Sequence, residues 1–427
     1  MNKKILWVFV CCLLTLTLVV WSCDGAPSSE QEEEEEEQPT EITTSGWIYE
    51  DETWSGIVHI TGDVWVDETV TLTILPGTEV LFSSTGDDQN AGVAAPMTSP
   101  NDPTWTLEYA QNHCKLDVYG TLIAKGTQDN MIVFTSDNPN PDAADWTHLH
   151  IGHSSVIEYC IIEYSRGGID VRDNTGDSVI ITHNIIRHNL WTGIDAHKSS
   201  PTVTFNEIYH SGGHQGIAAG WGTALIANNL ISDCKLGIVM ATTNSVVIEN
   251  NTIVNNDNGI VIQGSPYIHN NVIKSPNGAQ YDFTYQGEAI YFAHTNQGQY
   301  DDVTGIIVRN CSSTITNNEI SLCPLLMEVT GTVSLNINNS TFSEGTIGIL
   351  FGPSFDGSVV LNNNNFYDNH IHIGLEPGFD GIIDATYNWW GTTDLSELID
   401  LIRDSHHDPS RGTVLYEPLL LAPAKID

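Results

Sequence analysis

Asn229-Leu230-Ile231, Asn251-Thr252-Ile253 and Asn271-Val272-Ile273 carry one short polar-x-apolar signature that decides the fold. The same signature stands upstream at Asn184-Ile185-Ile186 and Asn206-Glu207-Ile208, and downstream at Asn318-Glu319-Ile320, Asn364-Asn365-Phe366 and Asn388-Trp389-Trp390. Cys160-Ile161-Ile162 and Ser340-Thr341-Phe342 fill two further places with other polar residues. From 160 to 388 the spacings are 24, 22, 23, 22, 20, 47, 22, 24 and 24, so the long one fits two turns carrying an insertion. A fixed period in this range is the mark of a solenoid.

Working outward, each unit supplies a strand before the Asn, a turn at it, and a second strand often introduced by Gly-Ile. Examples are Gly168-Ile169-Asp170-Val171, Gly193-Ile194-Asp195-Ala196, Gly237-Ile238-Val239-Met240 and Gly259-Ile260-Val261-Ile262. Strands this short cannot bury an apolar side alone. Coiled in register they stack about 4.8 Å apart, like residues meet like residues, and the Asn amides are expected to form an inward ladder. Leucine-rich repeats need leucines at fixed spacing, which are missing, and a hexapeptide helix needs an apolar residue every six positions.

The ends carry other signals. Lys3 and Lys4 precede an apolar run from Ile5 to Trp21, the layout of a secretory leader spanning 1–22. Val20-Trp21-Ser22-Cys23 resembles a lipobox, with Cys23 as the lipidation site; an uncleaved anchor is the alternative. Residues 23–45, with six glutamates from Glu32 to Glu37, read as a disordered acidic linker. The β-helix is expected over 46–420, with its cap over about 388–420 and a tail at 421–427. Cys160, Cys234 and Cys323 read as small inward stack residues, with a Cys311–Cys323 bridge as the minority alternative. A net charge of −40 in 427 residues argues against nucleic acid as partner, since phosphate binding depends on cationic side chains.

In combination, the Asn-x-Ile turns, the opening Leu72-Thr73-Ile74-Leu75-Pro76-Gly77-Thr78, Val118-Tyr119-Gly120-Thr121-Leu122 and the closing Asn388-Trp389-Trp390-Gly391-Thr392-Thr393-Asp394 resemble the parallel β-helix repeat proteins of the pectate-lyase-like superfamily. The resemblance implies an all-β, right-handed parallel β-helix solenoid over most of the chain, with a short C-terminal helical cap. Trp389 and Trp390 are expected to cover the lumen, and Leu395 to Ile402 to form the amphipathic cap helix. The resemblance says little of activity, because this fold hosts lyases, hydrolases, epimerases, adhesins and inert scaffolds. The ordered polygalacturonase set of Asn-Thr-Asp, Asp-Asp, His-Gly and Arg-Ile-Lys is absent.

Chemistry is expected in two places. Insertions in a solenoid map to loops, which often bind ligands. Residues 83–115 carry Asp87, Asp88, Met97, Trp105, Tyr109 and His113, and the stretch around 276–304 carries Tyr281, Phe283, Tyr285, Tyr300, Asp301 and Asp302, types that suit sugar recognition. The repeats from Cys160 to His214 gather Arg166, Arg172, Arg187 and Lys198 with His183, His188, His197, His210 and His214. Strand alternation should stack Asp170 and Asp195 outward, with Arg172 and His197 two residues on, and turn spacing should bring His188 beside His210.

Such a surface suits three chemistries. Asp170 and Asp195 could hold Ca²⁺ bridging to an acidic sugar, or Asp170, Arg172, Asp195, His197 and His210 could supply acid–base catalysis. His188, His210 and Asp233 could hold a transition metal. His406 and His407 read as solvated tail residues. The reading is thus an exported protein, anchored by lipid outside the cytoplasm. As a monomer it presents an extended surface to extracellular polysaccharide, with His188, His214, Tyr281, Tyr285, Asp301 and Asp302 as ligand contacts. The alternatives are a polysaccharide lyase or glycoside hydrolase, and a structural or adhesive rod.

Overall fold

Each rung of the chain folds into three short parallel strands because its apolar residues alternate with polar ones for only three to seven positions before a turn residue intervenes. The computed structural model describes residues 41–90, 104, 106–171, 178–211, 213–242, 246–280, 284–285, 288–289 and 303–426, all within the unit Pro39–Asp427. Strands from successive rungs pair in parallel, so the whole is one coiled sheet with three faces.

The first face runs through Leu149–Glu158, Ile169–Asp170, Thr192–His197, Gln215–Gly220, Leu236–Thr242, Asn258–Gly264 and Thr304–Arg309. Its first strands lie earlier, in Ile57–Val66 and Leu116–Lys125. The second face runs through Thr202–Thr204, Leu225–Ala227, Val247–Glu249, Tyr267–His269, Ser312–Thr316, Thr332–Asn338 and Asp356–Asn362. The third stacks Ile162, Ile186, Ile208, Ile231, Ile253, Ile273, Ile320, Phe342 and Phe366 in one inward column, all buried. Burying each such side chain contributes about 1.5–3 kcal/mol, and the column continues upward through Phe134, Val80 and Val58.

The Asn ladder sits inside the turn between the second and third faces. The Asn206 side-chain oxygen accepts from the Asn184 backbone N–H at 3.0 Å and from its side-chain amide at 2.9 Å. The pattern continues from Asn206 to Asn229, Asn251 and Asn271. Asn271 donates to Asn318 in the same geometry, at 2.9 and 3.0 Å, although 47 residues separate them. The long spacing is therefore one rung with a large insertion and not the two turns its length suggests, since the strands on either side of it pair directly. The residue before each ladder position takes a left-handed backbone, as at His183 (φ 57°), Phe205 (φ 55°), Asn228 (φ 57°) and Asn250 (φ 54°). A second ladder at the next corner joins Ser165, Asn189 and Ser211. The Gly of each Gly-Ile signature has its own reason: a Cβ on Gly216 or Gly237 would stand 2.9 or 2.6 Å from the carbonyl oxygen of the next rung's glycine.

The C-terminal helix is observed as α2, Leu395–Leu401, and a further helix, α1, Leu107–Asn112, forms within the first insertion. The Asp394 side chain caps α2 by accepting from the Ser396 N–H at 2.8 Å. Of the two tryptophans only Trp390 enters the core, fully buried and stacked on Phe366 with ring centroids 4.9 Å apart, beside Leu398 of α2 and Ile402, whereas Trp389 is only half-buried. The expectation that both tryptophans cover the lumen is corrected by strand alternation, which points neighbours to opposite sides.

Three other expectations change. The first strand spans Glu41–Ile48 and pairs with Ile57–Val66, so the fold begins before residue 46 and takes in the end of the expected linker. Cys114, Cys160, Cys234, Cys311 and Cys323 are all free and buried, so the Cys311–Cys323 bridge is not formed. Tyr109 is a packing residue: it is buried, its hydroxyl donates to the Ala144 carbonyl at 2.9 Å, and its ring stacks on His113 at 3.9 Å. Met97, Trp105, Arg172, Tyr281, Phe283, Tyr300, Asp301, Asp302 and Cys23 lie outside the described residues. Among the described residues, no helix is long and apolar enough to cross a membrane.

Candidate functional site

One outward column on the first face gathers the chemistry. Parallel register places Trp47, Trp65, Asp117, His150, Asp170 and Asp195 on successive rungs, each about 4.8 Å from the next. Asp170 and Asp195 are neighbours in that stack, as the repeat spacing predicts. Both are nonetheless buried, at 8% and 6% exposure, because flanking side chains close over them.

Each of these carboxylates has an imidazole at its side. His150 Nδ1 lies 3.9 Å from an Asp170 oxygen, and His197 Nδ1 hydrogen-bonds the Asp195 carboxylate. One rung below His150, Asp117 accepts from His148 Nε2 at 3.0 Å and from the Lys115 ammonium at 2.7 Å. Burial alone would raise the Asp117 carboxyl, but the hydrogen bond and charge of His148, joined by Lys115, hold it well below the usual carboxylate range. Burial likewise works against the Lys115 cation, yet Asp117 outweighs it and raises the ammonium. Lys115 also lies over the Trp65 ring, 5.6 Å from its centroid.

Behind Lys115 sits Asp63, fully buried, with one oxygen accepting from the Lys115 backbone N–H at 3.2 Å and the other without a hydrogen-bond partner. Burial pushes its carboxyl up to about 7 against the pull of Lys115, and the nearby Asp87 and Asp117 charges add to the rise.

Aromatic rings border the column. Trp47 stacks with Trp65 at 5.7 Å, Tyr49 at 5.8 Å and Tyr119 at 6.1 Å, and Tyr119 reaches the His150 ring at 5.9 Å. On the far side His197 packs on Trp221 at 5.3 Å. His214 lies in a separate group at the start of the strands, 4.8 Å from Trp191, whose ring also carries Arg166 at 5.4 Å.

His188 and His210 are brought together as the turn spacing predicts, with centroids 5.2 Å apart. They occupy the left-handed corner between the third and first faces, with φ of 55° and 47°, rather than the strand column of Asp170 and Asp195. Burial lowers the pKa of both, more than offsetting Asp233 at His210. Tyr285 falls in a short strand paired with Glu288–Ala289. His406 hydrogen-bonds Asp404 in the tail.

Ca²⁺ takes six to eight oxygen ligands. Asp170 and Asp195 offer carboxylates already beside imidazoles, and among the described residues no group of three His, Cys, Asp or Glu side chains is placed to hold a metal ion.

Asp117, His148, His150 and Lys115 are site residues that repeat spacing passes over. Their signal is local: Leu116-Asp117-Val118 and Leu149-His150-Ile151 repeat the pattern of Ile169-Asp170-Val171 and Ile194-Asp195-Ala196.

Residues 147–297 match the family model described as a right handed beta helix region. The chain is a right-handed parallel β-helix. No curated protein matches it significantly. Among solved structures, this β-helix is similar to the periplasmic alginate epimerase AlgG, at 11% identity over 85% of this chain and 74% of that chain, with a TM-score of 0.35. It is also similar to the Dettilon tailspike protein, at 15% identity over 75% of this chain and 61% of that chain, with a TM-score of 0.33. Neither lends a site residue to this β-helix.

Proposed function

We propose that the first face binds an extracellular acidic polysaccharide along the solenoid axis and cleaves it as a lyase. The observation that supports this most directly is the hydrogen-bonded imidazole–carboxylate couple of His197 with Asp195, beside which the His150 imidazole stands 3.9 Å from the Asp170 carboxylate on the neighbouring rung. A carboxylate beside an imidazole holds its tautomer and stabilises its cation, which prepares it to accept or deliver a proton. Hydrolysis by two carboxylates would instead need one of them free to attack or to activate water.

In this reading one neutral imidazole takes the proton alpha to a uronate carboxyl group. The released electron pair forms the ring double bond and expels the glycosidic oxygen, which receives its proton from the other, protonated imidazole. The Lys115 ammonium, held against Asp117, lies beside the column, and the Trp47, Trp65 and Tyr119 rings would provide an apolar bank for the sugar chain. Export and lipid anchoring at Cys23 would hold the protein, as a monomer, where such polymers occur. Palmitate labelling that spared a Cys23→Ala variant but not the parent would support the anchor.

The test is incubation of the full chain with a panel of uronate polysaccharides, following the absorbance of unsaturated products with and without EDTA. Absorbance that rises in both conditions and is lost in His197→Ala is the expected result. New reducing ends without absorbance would identify a hydrolase, and binding without either product would leave a polysaccharide-binding protein.

A further inference from the structure

We infer that the second face carries a separate binding groove for a neutral oligosaccharide, independent of the chemistry on the first face. The groove arises where rung length changes. Tyr267–His269 is a strand of 3 residues, but the strands stacked after it grow to 5 in Ser312–Thr316 and 7 in Thr332–Asn338 and Asp356–Asn362. The longer strands run past the turn that precedes Tyr267, and the step leaves a concavity of about 520 Å³, within the range of small-molecule sites.

Its lining has a consistent chemistry. Ser312, Ser334 and Ser358 stand in one outward column on consecutive rungs, with the last two hydroxyls 3.4 Å apart. Tyr267, Thr314 and Asn336 lead the adjacent column. Among the described residues, no charged side chain lines the groove, although the chain carries a net charge of −40. The step is fixed in place by the Ser313 hydroxyl, which donates to the Pro266 carbonyl at 2.8 Å.

Hydroxyl and amide groups repeating at the rung spacing, about 4.8 Å, offer alternating donors and acceptors at an interval close to one sugar ring. Each hydroxyl serves as donor and acceptor, so the array matches sugar hydroxyls without a fixed polarity. The Tyr267 ring at one end packs on His269, with centroids 4.4 Å apart, and its exposed part supplies a surface for a pyranose. An anionic ligand finds no cation among the described residues that line the groove. An apolar ligand would strand the serine hydroxyls without water or partner. A neutral oligosaccharide meets both requirements.

The test titrates the full chain with neutral pentasaccharides, β-1,4-linked glucose, xylose and mannose and α-1,4-linked glucose, by calorimetry and saturation-transfer NMR. A uronate pentasaccharide serves as the charged control. At least one neutral sugar is expected to bind with a Kd in the millimolar range or tighter. Ser334→Glu with Ser358→Glu, and separately Tyr267→Ala, should weaken that binding at least tenfold. All three side chains are solvent-exposed, and an unchanged circular dichroism melt confirms folding. Asp195→Ala should leave neutral-sugar binding unchanged, which separates this inference from the lyase reading. The inference is overturned if no neutral sugar binds, if the groove variants bind as well as the parent, if Asp195→Ala abolishes neutral-sugar binding, or if the uronate sugar competes in the groove.

Discussion

The outward column of the first face passes through two stretches with the same backbone and opposite chemistry. Asp117, His150, Asp170 and Asp195 are followed, on the next rungs, by Ala218, Val239, Val261 and Ile307. Val261 and Ile307 are as buried as the carboxylates, packed with Leu236 in an apolar cluster outside the lumen. Parallel pairing is indifferent to what points outward, so the solenoid can place charge or hydrocarbon at one position without altering its rungs. The inward residues set the architecture and the outward ones alone set the chemistry.

Exchanging identities along the column is the sharpest way to break that comparison. Asp195→Ala installs the residue that the next rung carries at Ala218, and uronate cleavage should fall by roughly 10²–10⁴-fold, the usual worth of general acid–base catalysis. Its melting temperature should move by only a few degrees; full activity in this variant would move the reaction elsewhere. The reverse exchange, Val261→Asp, buries a carboxylate among Leu236 and Ile307 and should cost about 3 kcal/mol of stability. Denaturant unfolding measures that cost, and the folded fraction should retain normal cleavage.

The pH dependence of stability sharpens the contrast further. Asp63, behind the charged stretch, has its folded pKa raised from 3.8 to about 7. Its burial therefore costs nothing below pH 3.8, costs progressively more as pH rises toward 7, and costs its full amount above. Asp63→Asn should raise stability by about 2 kcal/mol at pH 8 and leave it unchanged near pH 3.5. His372 lies at the far end of the same face, with its ring between Asn369 and the Trp390 carbonyl. Burial depresses its pKa from 6.5 to about 4. Its contribution is complete above pH 6.5 and is lost as pH falls toward 4, so His372→Gln should flatten the acid limb of the stability profile by about 1 kcal/mol.

Much of this is legible in the chain itself. The Asn positions repeat because each amide must meet the next, so their spacing gives the rung count everywhere except the break from 271 to 318, where 47 residues read as two turns form a single rung carrying the whole insertion. With that register, the period of two along a strand is enough to stack Asp170 on Asp195. The same reasoning stops short at Asp117 and His150, because the insertion at 83–115 and the irregular stretch after Lys125 interrupt the period before those rungs. It also cannot distinguish a corner from a strand face: His188 and His210 share a column but turn away from the carboxylates through their left-handed backbone. Nor does spacing reveal that outward carboxylates end up buried, which depends on how His150, His197 and Trp221 fold over them.

The hydrogen bond from Asn271 to Asn318 has a consequence for how such a molecule changes over time. Because the rung closes with ordinary geometry across 47 residues, the length of chain between two ladder positions is uncoupled from the stacking of the layers. Segments can be lengthened, shortened or exchanged at the following corner, between Val272–Lys274 and Thr304–Arg309, by simple recombination, with no compensating change elsewhere. The scaffold thus behaves as a rack with a free slot, into which new recognition loops can be spliced while the rungs above and below keep their places.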